Sequence, residues 1–242
     1  MRKIIELFAI DVIKASSLLG AAIVATHIIF LVLIFGFNEQ EFYGLDYHFH
    51  LDGEFNIPSF YSSMILLYSS ILLLNAYYTT RSRSPDLYWI VLSVIFVYLA
   101  ADEFFSFHER LILPIRSYLD LEGYFYFSWI LVGAVFVAVV FFSALPFLYR
   151  LPKNIALQFC LAGFIYISGV LGVEMIGSNE AFQSGQMNGW VSTKERGLTY
   201  AIIVTIEESL EIFGVLFFNY TLMQYWKKEN YKQTKIKNDE LF

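Results

Sequence analysis

Two apolar stretches of this 242-residue chain carry carboxylates at spacings suited to holding a proton or a cation. One ends in Asp102-Glu103-Phe-Phe-Ser-Phe-His108-Glu109-Arg110, and the other contains Glu207-Glu208-Ser-Leu-Glu211. A third contributes Glu174. Carboxylates in such surroundings are costly, so they pair, face a polar interior or serve a pathway. Glu207 and Glu211, four apart, are neighbours on one helix face and repel unless a proton or cation lies between them. Asp102 and Glu109, seven apart, share a face if one helix runs through both. Glu103, His108 and Glu208 are then expected to point sideways, with Arg110 as a partner for Glu103. The candidate ligands are Asp102, Glu103, His108, Glu109, Glu174, Glu207, Glu208 and Glu211.

Carboxylate oxygens with one or two imidazoles suit a divalent metal cation of the hard or borderline kind, such as Mg²⁺, Mn²⁺, Ca²⁺ or Fe²⁺. A closed structural zinc site would want Cys or more His, but ligand type alone does not separate Zn²⁺ from the others. The Glu-x-x-His repeat of carboxylate-bridged di-iron bundles is absent. No catalytic residue is assigned by pattern. Three classes of function fit: binding or translocation of a divalent metal or protons, a membrane-embedded metal-dependent enzyme acting on a lipid-like substrate from the outer face, and a non-catalytic sensor or effector subunit. In the enzyme, His108 or a glutamate would serve as acid or base. His48 and His50, in His-Phe-His, would share one side of an extended strand. His27 alone reads as a packing residue. The sequence leaves the part played by these three histidines open.

The elements that must position the acids are helices. The chain is 57% hydrophobic and 16% charged, with a mean hydropathy of +0.57, against about 45–50% apolar and 25% charged in ordinary soluble domains. Six stretches, roughly 16–36, 59–79, 87–106, 125–148, 155–177 and 198–226, approach the roughly 20 residues needed to cross a bilayer core. The expected fold is therefore all-α: a polytopic protein of the cell membrane, plasma or inner, with six transmembrane helices in one domain over 1–226 and a basic cytoplasmic tail over 227–242. Residues 1–15 lack the pattern of a secretory signal and read as a short interfacial helix, as does the segment around 108–122. Ser84 and Pro85 are placed to start the third helix, and Trp190 is an expected interface anchor. Cys160 reads as a small buried hydrophobe.

Placing both termini in the cytoplasm puts twelve of the sixteen Lys and Arg residues on that side, the bias expected for inner loops. Only Arg110, Arg116, Lys194 and Arg196 remain outside. Counting helical residues outward brings Asp102, Glu174 and Glu207 to one level in the outer part of the membrane, Glu211 a turn deeper and His27 near mid-depth. The outer cations are too few to neutralise the acids. A net charge of −6 without an aromatic-interleaved basic patch excludes a nucleic-acid partner. The partners implied are the lipid bilayer and a cation or proton. Oligomeric state is not readable.

Overall fold

The apolar stretches fold as helices, and no strand forms among the described residues. The computed structural model describes residues 2–39, 42–80, 86–185 and 193–239, with side chains over 11–232 of that set. Helix α1 (Arg2–Leu31) runs on into a π-helical turn, Val32–Gly36. A loop carrying α2 (Leu45–His48) leads to α3 (Ile57–Thr80) and then α4 (Tyr88–Phe105). Next come a 3₁₀ turn (Glu109–Leu111), α5 (Ile112–Leu119), a second 3₁₀ turn (Gly123–Phe125) and α6 (Trp129–Arg150). Helix α7 (Lys153–Ile167) continues through a π-helical turn (Ser168–Val173) into α8 (Glu174–Gln183). After α9 (Thr193–Arg196), α10 runs from Leu198 to Asp239.

Among the described residues, five segments are long and apolar enough to cross a membrane: Asp11–Gly36, Ile57–Thr80, Tyr88–Phe105, Trp129–Arg150 and Lys153–Gln183. Helix α10 is not among them, because Glu207, Glu208, Glu211 and Asn219 interrupt its apolar run. Three expectations are corrected. Residues 2–15 form no separate helix, since α1 is unbroken and no Gly or Pro lies before Gly20 to end a first segment. The fifth apolar segment stays helical to Gln183, so Ser178 lies inside a helix rather than in a polar connection. Cys160 is exposed on α7 rather than buried. The short helix expected near 108–122 is present as the 3₁₀ turn and α5. Ser84, Pro85 and Trp190 lie outside the described residues.

Local chemistry explains the helix ends and their packing. Asn56 and Ser59 cap α3 reciprocally: Ser59 N–H donates to Asn56 Oδ1 and Asn56 N–H to Ser59 Oγ, both at 3.1 Å, satisfying two donors that a helix start would otherwise leave open. One face of α3 is small and buried, with Ser59, Ser62, Ser63, Ser69, Ser70 and Ala76. That face lets α4 approach closely enough for Ser63 Oγ to donate to the Ala100 carbonyl (2.7 Å) and for the Ser70 and Ser93 hydroxyls to meet at 2.7 Å. Such small-residue contacts are the usual basis of helix association in lipid.

Helix α10 packs against α7 where glycine leaves room. A Cβ at Gly214 would lie 2.8 Å from the Tyr166 backbone nitrogen, and one at Gly169 would lie 2.8 Å from the Glu207 carbonyl. Toward the α3–α4 connection the core is aromatic: Trp89 meets Phe147 edge-on (4.7 Å between centroids) and stacks on Tyr225 (5.1 Å), and Phe218 stacks on Phe96 (4.8 Å). The acids Asp102, Glu103, Glu174, Glu207 and Glu211 lie in the other half of the bundle.

Candidate functional site

Helix α4 ends at Phe105 because Ser106 adopts a left-handed conformation (φ 49°), its N–H donating to the Asp102 carbonyl at 2.7 Å. The chain then turns, and the Asp102 side chain captures His108. The His108 N–H donates to Asp102 Oδ1 (3.0 Å), and His108 Nδ1 lies 2.8 Å from Oδ2. Glu109 therefore does not share a helix face with Asp102; the helical turn between them is broken. The Glu109 carboxyl instead lies within hydrogen-bonding reach of the Glu54 carboxyl. Nor does Arg110 pair with Glu103: its Nη2 donates to the Phe105 carbonyl, and its guanidinium lies over the Phe107 ring.

The His108 ring packs at 4.5 Å on Trp129, whose Nε1–H donates to Glu174 Oε1 at 2.9 Å. Glu174 is the first residue after the π-helical turn of α7. Such a turn inserts a residue and re-aims the side chains beyond it, a device frequent at functional sites. The Glu174 and Glu207 carboxyls lie within hydrogen-bonding reach of each other, and Glu207 is buried.

Glu103 and Glu211 complete the deeper part. Together with Ser62, Ile65, Leu66, Tyr166, Ile212 and Val215 they line a cavity of about 10 Å³, at the lower limit for one water molecule. Glu103 thus faces the bundle interior rather than a neighbouring helix edge. Glu208 interacts electrostatically with Glu211, Glu103, Asp52 and Glu174, so it belongs to the same cluster. The eight expected residues come from the 102–109 segment, Glu174 and α10. Among the described residues, no three acid, His or Cys side chains are close enough to ligate one metal ion as they stand.

The loop between the first π-helical turn and α3 supplies what spacing did not reveal. Asp52 pairs with Arg196 and accepts a long hydrogen bond from the Tyr200 hydroxyl (3.4 Å). Burial raises the Asp52 carboxyl to about 6 in spite of the Arg196 charge. Desolvation of its protein-facing side, then the Glu54 carboxyl, hold Glu109 above the ordinary carboxylate range, although part of its surface is open to solvent. Burial works against charging His108; the Asp102 hydrogen bond and the surrounding carboxylates outweigh it, so His108 titrates above its ordinary value. No sequence signal links Asp52 to a residue 144 positions away, and Trp129 is marked only as an indole N–H at a helix start. His48 and His50 do not share a strand: His48 ends α2, and His50 comes after it in a turn.

No curated protein and no solved structure matches the chain at a significant level. A family model does match, over residues 17–225, a stretch that holds every acid of the cluster. By that match the chain belongs to the family described as Domain of unknown function (DUF8692).

Proposed function

We propose that the protein is an integral protein of the cell membrane that binds and translocates protons or a divalent cation by way of the carboxylate cluster, reached from the outer face. In this reading α10 is a sixth span, both termini are cytoplasmic and residues 227–242 form a basic inner tail. The observation that carries it is the meeting of carboxyls in pairs, Glu174 with Glu207 and Glu54 with Glu109. Two carboxylates at that range need a proton or a cation between them, and Arg196 makes its ion pair with Asp52. The proton is the simpler occupant, because a carboxyl pair holds one without further ligands. A metal would need the carboxyls of α4, α8 and α10 to draw closer. Proteoliposomes test the reading: wild-type protein takes up protons or Mn²⁺ from the outer side, and Glu207→Gln abolishes the uptake. Equal uptake by both proteins, or none by either, refutes it.

The His108–Asp102 pair favours a second reading. An imidazole held by a carboxylate and packed on an indole is the arrangement of a general base. In that reading the site acts on an amphiphilic substrate, with His108 taking the proton, and turnover of a lipid ester lost in His108→Gln would support it.

A further inference from the structure

The carboxylate reading leaves His27 unused. It is buried in α1 (1% exposed), and its Nε2 has no hydrogen-bond partner among the described residues. Nδ1 receives the Leu51 N–H at 3.4 Å, a long contact, and the Phe49 carbonyl is within hydrogen-bonding reach of the same ring. His50 stands beside it, its ring centroid 5.1 Å away and its plane turned by 86°. An unpaired polar nitrogen in a buried place is costly and calls for a partner. Edge-to-face packing alone would not supply one.

The loop that carries His50 is built to hold it there. Asn56 Nδ2 donates to the Tyr47 and His50 carbonyls (3.1 and 2.7 Å). Leu51 is buried in the core beside it, and the Asp52–Arg196 pair ties the loop to the start of α10. Burial first, and the Arg196 charge second, hold the His50 imidazole down to about 4, so the ring is neutral near pH 7 and its lone pair is free.

We infer that His27 and His50 form a two-imidazole site for a borderline divalent metal such as Cu²⁺, Ni²⁺ or Zn²⁺, separate from the carboxylate cluster. Two imidazoles on adjacent positions of one ion at ~2.0–2.1 Å bring their ring centroids to about 4.5 Å in tetragonal and about 5 Å in tetrahedral geometry, close to the 5.1 Å found here. Imidazole is the ligand these ions favour over carboxylate. Binding through Nε2 moves the His27 proton to Nδ1, which gives up the long Leu51 N–H contact and turns that nitrogen into a donor toward the Phe49 carbonyl, the outer-shell contact typical of metal-bound histidine.

The test is Cu²⁺ binding to the full-length protein in nanodiscs, read by the nitrogen hyperfine pattern in electron paramagnetic resonance. Wild type is expected to show two nitrogens. His27→Gln and His50→Gln each reduce the pattern to one and weaken binding at least tenfold, whereas His48→Gln and Glu207→Gln leave it unchanged. His50 lies in the loop, so its variant carries the test if His27→Gln fails to fold. A wild-type spectrum without nitrogen coupling, or one unaltered by His50→Gln, overturns the site. If Glu207→Gln alone abolishes binding, the metal sits at the carboxylates, and the two-histidine site is refuted while the carboxylate reading stands.

Discussion

Trp129 Nε1–H donates to Glu174 Oε1 at 2.9 Å, joining the first residue of α6 to the carboxyl just past the π-helical turn. The bond links two elements otherwise in little contact and fixes the Glu174 carboxyl beside Glu207. Trp129→Phe keeps the ring's bulk and removes the donor. A hydrogen bond of this kind contributes about 0.5–1.5 kcal/mol, so Trp129→Phe should lower the unfolding temperature in detergent. Glu174→Gln keeps an acceptor oxygen and should cost less. Equal stability of Trp129→Phe and wild type would mean that the bond does not form.

Gly169 is the point of closest approach between the π-helical turn and α10. Its alanine variant would press a methyl group 2.8 Å from the Glu207 carbonyl and 2.9 Å from Glu211 Cγ. Overpacking of this kind costs about 1–3 kcal/mol, and here it would also spread the carboxyls. Gly163 of α7 has nothing within 4 Å of a built Cβ, so Gly163→Ala should be neutral or slightly stabilising. Thermal unfolding of the two variants side by side decides the matter, and similar losses would count against tight packing at Gly169.

Asp52 gives stability a pH dependence of known sign. Its folded-state value, about 6, lies above the ordinary 3.8. Its contribution is therefore fully present below about pH 4 and lost as pH rises through 6. Asp52→Asn should flatten that part of the stability curve, and the difference between the two curves isolates the residue from the other carboxyls. A difference that grows in the opposite direction would show that the Arg196 charge, and not burial, governs this carboxyl.

His108 offers a spectroscopic check. Burial lowers it and Asp102 raises it, with a net upward shift. In Asp102→Asn the hydrogen-bonded charge is gone, so the imidazole should titrate lower than in wild type. Nitrogen-15 NMR of labelled histidine reports this directly. An unchanged titration would separate His108 from Asp102 in solution.

The helices and the acid-bearing segments were legible because apolar run length and intramembrane carboxylates are strong local signals. The facing of Glu207 and Glu211 follows from helical spacing. The failures share one cause. A left-handed Ser106 breaks the helix before Glu109, and the π-helical turn at Ser168–Val173 shifts register before Glu174. Neither departure leaves a periodic trace. Contacts made by the loop before α3, Asp52 with Arg196 and His50 with His27, join residues far apart in the chain, and single-sequence spacing carries no information about them.

The central claim is that paired carboxyls hold a proton or give it up to a cation. Infrared difference spectroscopy measures this through the C=O stretch of protonated carboxyl groups near pH 7. Such a band is expected in wild type, shifted on deuteration, diminished by Mn²⁺ if a cation displaces the proton, and reduced in Glu207→Gln. The absence of any protonated-carboxyl band, with no response to Mn²⁺ between about pH 5 and 8, would contradict it.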